Sequence, residues 1–356
     1  MKKSRIAAAL LVAALLIGFL IYRQAGNGQN SDAGLTRYTA SFLDVFDTQT
    51  EIVGYGTSEE TFTEQVKLLK DKLTFYNNLY DIYHDYEGIN NIKTINDNAG
   101  IAPVVVDKEI IELLQYSKDM YEFTEGQLNI AMGSVLTIWH DYREEGINNP
   151  EKAKLPDMAE LQTAAAHTDI SQLIIDQEAS TVYLADPEMS LDVGGIGKGY
   201  AVQRVAEYAK ELGVESILLS VGGNVAAVGE KPDGSQWKLG IQNPDLESDE
   251  EYSRKVQVKD ESVVTSGNYQ RYYVVDGVRY CHIVDPDTLM PADYFASVSI
   301  ITADSGEADA LSTAVYNMPF AEGLAYVNGL DGVEAMWIFE DGSVEYSAHF
   351  EEYVAE

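Results

Sequence analysis

Residues 191–223 read LDVGGIGKGYAVQRVAEYAKELGVESILLSVGG, and the fold class follows from how this stretch is parsed. Gly194, Gly195, Gly197 and Gly199 crowd the entry to a segment from Lys198 to Leu212 whose apolar positions Val202, Val205, Ala206, Ala209 and Leu212 share one helical face. Ser216 to Val221 is a short apolar run of strand type that stops at Gly222-Gly223. Glycines let the backbone approach a ligand, and helix N-terminal amides favour phosphate oxygens. Lys198 adds a positive charge there. A Walker loop needs glycine where Asp192 stands and Ser or Thr where Gly199 stands, and the dinucleotide fingerprint needs glycine at Tyr200, so neither fits. Glycine richness alone is equally consistent with a tight turn.

Outward from this unit, strands and helices alternate without a strict βαβ rhythm. Arg37 to Gly54 carries strand material, while Phe62 to Leu79 and Lys108 to Thr124 have helical spacing. Tyr142 to Leu155 reads as a polar, charged insertion. Strand-like runs recur at 181–184, 236–241, 255–258, 272–275, 280–284 and 297–302. Glu307 to Tyr316 is a short helix, and 335–339 with 344–346 form a hairpin. The mixture predicts an α+β fold, and no linker divides residues 36–356, so one large domain is expected.

The chain has 24 basic and 58 acidic residues, a formal charge of -34, which makes a polyanionic backbone a poor partner and excludes nucleic acid as the expected ligand. An anionic ligand must be held by backbone amides, a lysine or a bound cation. The single cysteine, Cys281, excludes internal disulfides and multi-cysteine metal centres, and its apolar strand neighbours predict a buried, inert thiol. Lys2, Lys3 and Arg5 precede an uncharged apolar run from Ile6 to Tyr22. As a helix this run rises roughly 25 Å, near the lower limit for a membrane span. Residues 1–24 are therefore expected to be a membrane anchor or signal-anchor with the N-terminus inside, a cleaved signal peptide being the alternative. Residues 25–35 read as a flexible linker, and residues 36–356 as an extracytoplasmic domain of a single-pass membrane protein.

Two further motifs carry chemistry. In Gly306-Glu307-Ala308-Asp309-Ala310-Leu311-Ser312-Thr313, Asp309 and Thr313 share a helical face, and a carboxylate with a hydroxyl suits Mg²⁺ that keeps water and substrate phosphate. Read alone, an Asp near a helix start is more usually dipole or capping chemistry. In Tyr280-Cys281-His282-Ile283-Val284-Asp285-Pro286, His282 lies on a strand ending at an Asp-Pro turn, where side chains often face a cleft.

Taken in order, GQLNIAMG (126–133) with Leu136 and Trp139, DVGGIGKGYAVQRVAEYAKELGV (192–214), SILLSVGGNV (216–225), VTSGNYQRYYVVDGVRYCHIVDP (264–286) and ADALSTAV (308–315) resemble the ApbE family of FAD:protein FMN transferases. The resemblance spans about residues 38–340. It implies a single ApbE-like, T-fold-related domain that uses Mg²⁺ and FAD, moves FMN onto a Thr or Ser hydroxyl of an exported acceptor flavoprotein, and releases AMP. It implies metal ligation by Asp309, Thr313 and the carbonyl of Gly197. It implies flavin and pyrophosphate contacts from Gln127, Leu128, Asn129, Asp192, Lys198, His282 and Ile283, with His282 and Asp309 as the catalytic pair. This chain departs from the family pattern at Asn129, where aspartate is usual, at Gly197, where alanine is usual, and at Phe46-Asp47-Thr48, where Met-Gly-Thr is usual. Two other readings are an FAD pyrophosphatase giving FMN and AMP, and a non-catalytic flavin-binding surface protein.

Overall fold

In the computed structural model, residues 34–355 are described. The expected anchor and most of the linker lie outside them. Among the described residues no helix is long and apolar enough to cross a membrane.

The frame is an eight-stranded sheet, antiparallel throughout, made by β1 (Thr36–Val45), β2 (Thr48–Gly56), β6 (Ile217–Val221), β7 (Asn224–Val228), β10 (Ser262–Gly267), β13 (Ser297–Thr302), β14 (Glu334–Ile338) and β15 (Val344–Tyr346), side by side in that order. Side chains alternate across a strand, so a sheet covered on both faces needs apolar residues at successive positions. β13 has that pattern and is buried along its whole length. Val264, Val298 and Ile300 point into the main core, while Val263, Ile301, Met336 and Ile338 enter a second core on the opposite face.

Three helices cover the first face: α1 (Glu59–Tyr80), α6 (Gly197–Glu211) and α7 (Ser305–Asn317). Their apolar stripes, among them Leu69 and Leu73, Val202 and Val205, and Leu311 and Val315, are fully buried there. α1 starts on the Ser58 side chain, which accepts from the Thr61 amide, and α7 on Asp304, which accepts from Gly306 and Glu307. The second face is closed by the hairpin of β8 (Trp237–Gln242) and β9 (Tyr252–Val258), through Trp237, Leu239, Ile241, Val256 and Val258.

The remaining elements flank the sheet. They are α2 (Ile92–Asp97), β3 (Val104–Val105), α3 (Lys108–Phe123), α4 (Gly133–Asn148), α5 (Met158–Ala165), β4 (Leu173–Asp176), β5 (Thr181–Leu184), β11 (Tyr272–Val275), β12 (Val278–Cys281) and α8 (Phe320–Val327). The mixed α+β reading holds. The insertion expected at 142–155 is instead helical through Asn148, followed by a 3-10 turn at Pro150–Lys152. α4 packs one side, with Val135 and Trp139, into a satellite core with Tyr273 and Val284. Its carboxylates Asp141, Glu144 and Glu145 are exposed, and Gly146 gives the Tyr273 ring room: a Cβ there would lie 2.5 Å from that ring. Cys281 is buried and free, as expected.

Candidate functional site

The glycine bend, the start of α6 and the open face of α7 form one wall of a cavity of about 1050 Å³. The facing walls come from the β1–β2 turn, the end of α1, β8 and the segment after β12. The turn at Phe46-Asp47 takes positive φ at both residues, the conformation a tight two-residue hairpin demands. That places the unusual Phe46-Asp47-Thr48 run on the cavity rim.

Asp309 and the glycine bend meet. The Gly199 amide donates to Asp309 Oδ2 at 2.8 Å, and Lys198 Nζ stands 3.9 Å from Oδ1. Asn224, with its amide oriented to satisfy both neighbours, donates to Asp309 Oδ1 at 3.2 Å and accepts from Lys198 Nζ at 3.0 Å. The contact is close because Gly199 lacks a side chain: a Cβ there would sit 2.2 Å from the Ser305 carbonyl oxygen and 2.4 Å from Asp309 Cβ. One turn along α7, Thr313 Oγ1 donates to the Gly195 carbonyl at 3.4 Å. The carbonyl beside Thr313 is thus that of Gly195, while Gly197 opens α6 and lines the same cavity.

A second group gathers around His282. The strand predicted through Val284 ends at Cys281, because the chain turns away to bridge Val284 with Pro291. His282 leaves the strand and faces the cavity. Its Nδ1 is buried without a hydrogen-bond partner. Desolvation, aided by the charges of Arg271, Arg143 and Lys198, lowers its pKa from 6.5 to about 3, so the imidazole is neutral at ordinary pH. Asp192 accepts from the Gly194 amide at 2.7 Å, and desolvation raises its carboxyl above the usual range despite that bond and His140, Arg143 and Arg271.

The other expected contacts divide. Leu128 and Ile283 are buried cavity-wall residues, Leu128 lying against Gly195. Gln127 donates to Asp287 at 3.1 Å and keeps its Oε1 buried and unpartnered. Asn129 also borders the cavity, but its amide is committed to the backbone: Nδ2 donates to the Thr168 carbonyl at 3.0 Å, and Oδ1 accepts from Ala131 at 2.9 Å. It shapes the loop before α4. Arg143, Arg271 and His140 also line the cavity, and Asn224 touches its wall residues Asp309 and Lys198; the sequence did not single these four out. Asn224 and Arg271 stood inside quoted blocks; Arg143 lay in the stretch taken for an insertion. The Tyr80 hydroxyl is a further buried, unpartnered group on the wall, and burial raises its pKa well above the ordinary value.

The polar groups thus divide into an Asp309–Lys198–Asn224–Thr313 end and a His282 end, and the lining residues His282, Gln127 and Tyr80 each carry a buried polar atom without a partner. Similarity to known proteins is consistent with that layout. A family model described as the ApbE family matches residues 46–337. The chain is similar to the FAD:protein FMN transferase of Treponema pallidum (strain Nichols), 34% identical over 271 residues that cover 72% of this chain and 73% of the relative. It is also similar to the protein of the same name from Klebsiella pneumoniae (strain 342), 30% identical over 271 residues, covering 75% and 81%. A crystal structure of an ApbE protein from Thermotoga maritima superposes with a TM-score of 0.78 at 28% identity, covering 90% of this chain and 100% of that one. A match running from the first hairpin to β14, with the same fold over nearly all the described residues, means that the chain belongs to the ApbE family.

Proposed function

We propose that this chain transfers FMN from FAD to a Thr or Ser hydroxyl of an exported acceptor protein, with Mg²⁺ required and AMP released. The observation that carries the reading is the junction of Asp309, Lys198 and Asn224 at the glycine bend, inside a cavity of about 1050 Å³. It offers an anionic dinucleotide a local cationic and amide-rich seat within a chain of net charge -34.

The donor set fits Mg²⁺. Among the described residues no group of three or more His, Cys, Asp or Glu side chains is placed to hold a metal ion. One carboxylate, a hydroxyl and backbone carbonyls are hard oxygen donors, and Mg²⁺ characteristically completes its shell with water and phosphate. Asp309, Thr313 and the carbonyl of Gly197 are the proposed ligands, with the Gly195 carbonyl next to Thr313 as a further donor. Bound there, the ion would neutralise charge on the phosphate oxygens. Lys198 adds a fixed positive charge, and the site's main task is positioning and charge stabilisation. The acceptor oxygen forms a new bond to the FMN-side phosphorus while the bond from that phosphorus to the bridging oxygen breaks, and AMP departs with the bridging oxygen. His282, a neutral imidazole on the cavity wall with an unpartnered Nδ1, would accept a hydrogen bond from the acceptor hydroxyl, and the displaced proton passes to the departing AMP phosphate or to solvent. Residues 1–24 anchor the enzyme in the membrane with this domain outside the cytoplasm.

The test is to incubate residues 25–356 with FAD, Mg²⁺ and an exported candidate acceptor, then weigh the acceptor. A gain of one FMN unit supports transfer. Free FMN and AMP with an unlabelled acceptor identifies a pyrophosphatase, and retained FAD without turnover identifies a binding protein.

A further inference from the structure

α7 presents three polar residues to the cavity at four-residue intervals: Asp309, Thr313 and Asn317. At about 1.5 Å of rise per residue each step climbs roughly 6 Å along one helix face. The first two have partners at the glycine bend; Asn317 does not. Its residue is 3% exposed, its Oδ1 is buried with no hydrogen-bond partner, and its Nδ2 reaches only the Val284 carbonyl at 3.5 Å. That length is at the outer edge of hydrogen bonding.

The other buried asparagines behave differently. Asn91 Oδ1 accepts from the Thr94 amide, Asn268 Oδ1 from Arg279, and the Asn224 oxygen from Lys198. A buried amide left unpaired costs about 1–3 kcal/mol, and the neighbours Val315, Tyr316 and Met318 show that this part of α7 otherwise packs apolar groups. Packing alone would favour leucine at 317. The residues opposite, His282, Ile283 and Val284, belong to the wall that also holds the unpartnered His282 Nδ1.

We infer that Asn317 is a specificity-determining residue whose carboxamide hydrogen-bonds the polar edge of one heterocycle of the bound dinucleotide. A carboxamide sets a donor beside an acceptor and matches a ring edge with the complementary pair. Both the flavin imide and the adenine amine edge have that chemistry. The inference rests on the dinucleotide reading above and adds the group that reads a ring.

The experiment measures binding of FAD, FMN and AMP to the full chain by calorimetry, with the near-isosteric Asn317→Leu and Asn317→Asp substitutions beside the unaltered sequence. Asn317→Leu is expected to weaken FAD about tenfold, and to weaken either FMN or AMP by a similar factor while sparing the other, which names the ring. KM for FAD should rise with kcat within about twofold. Unchanged affinity for all three ligands in a folded Asn317→Leu protein overturns the inference, and equal loss of FMN and AMP overturns the ring assignment. If Asn317→Leu does not fold, Asn317→Asp decides by the same criteria. An unaltered chain that binds none of the three ligands removes the dinucleotide reading itself.

Discussion

Asp309 does two jobs that a pair of substitutions separates. Its Oδ2 accepts the Gly199 amide inside the core, and its Oδ1 faces Lys198 and Asn224. Asp309→Asn can retain the first contact while losing the charge, whereas Asp309→Ala leaves a buried amide unpaired at a cost of about 1–3 kcal/mol. Both variants should lose at least ~100-fold in Mg²⁺-dependent turnover, but only Asp309→Ala should melt markedly earlier. Full turnover in Asp309→Asn would remove this carboxylate from the chemistry. His282 makes a pH prediction. Because its pKa falls from 6.5 to about 3 on folding, the unfolded chain binds a proton between those limits that the folded chain refuses. Stability therefore drops as pH falls through that window. Arg271, Arg143 and Lys198 reinforce the effect. His282→Gln should lose less stability than the unaltered chain between pH 7 and pH 5, by on the order of 1–2 kcal/mol in denaturant melts. Equal losses would mean that the ring takes up its proton freely in the fold. The same substitution is expected to depress kcat more than FAD affinity.

The contact between α6 and α7 is what assembles the site, and its tolerance is set by one missing methyl group. A Cβ at Gly199 would overlap the Ser305 carbonyl and Asp309 Cβ at 2.2 and 2.4 Å, both on α7. Neither is the far end of a flexible side chain, so the helices must separate. Gly199→Ala is expected to cost about 1–3 kcal/mol of stability and to reduce activity through displacement of Asp309. Gly213→Ala, at the end of the same helix, supplies the contrast. Its positive φ of 76° strains the backbone, but nothing lies near the added carbon, so it should lose stability and keep FAD affinity. If both variants bind FAD normally, spacing between these helices does not govern the site.

At the scale of the whole molecule the dominant quantity is charge. A chain at -34 repels an anionic dinucleotide at long range, and salt screens that repulsion over about 10 Å at 0.1 M. KM for FAD is therefore expected to fall as ionic strength rises from about 0.02 to 0.2 M at constant Mg²⁺, the reverse of what a cationic site surface produces. A rising KM would show that the local charges at Lys198, Arg143 and Arg271 outweigh the global field. Removal of residues 1–24 leaves β1, which begins at Thr36, intact, so the shortened chain should stay in the supernatant of a membrane preparation with unchanged kcat. An inactive aggregate would count against an anchor role for that segment.

The sequence by itself determined the helices with clean apolar periodicity, α1, α3, α6 and α7, and most of the strands, because each places its buried residues at its own repeat. It also marked Asp309, Thr313, Lys198 and His282, whose residue types announce chemistry. It misread 142–155, where Glu144 and Glu145 belong to the exposed face of a helix, Arg143 lines the cavity and Gly146 is a packing contact with Tyr273 rather than a break. Only the tertiary structure decided that Asn129 spends its amide on the loop, that Asn224 joins Asp309 to Lys198, and that the Asn317 side-chain oxygen is left without a partner. An asparagine's role depends on which donors and acceptors the fold carries to within about 3 Å of its amide. Those partners come from segments as far apart as residues 198, 224 and 309, and no local pattern records such an encounter.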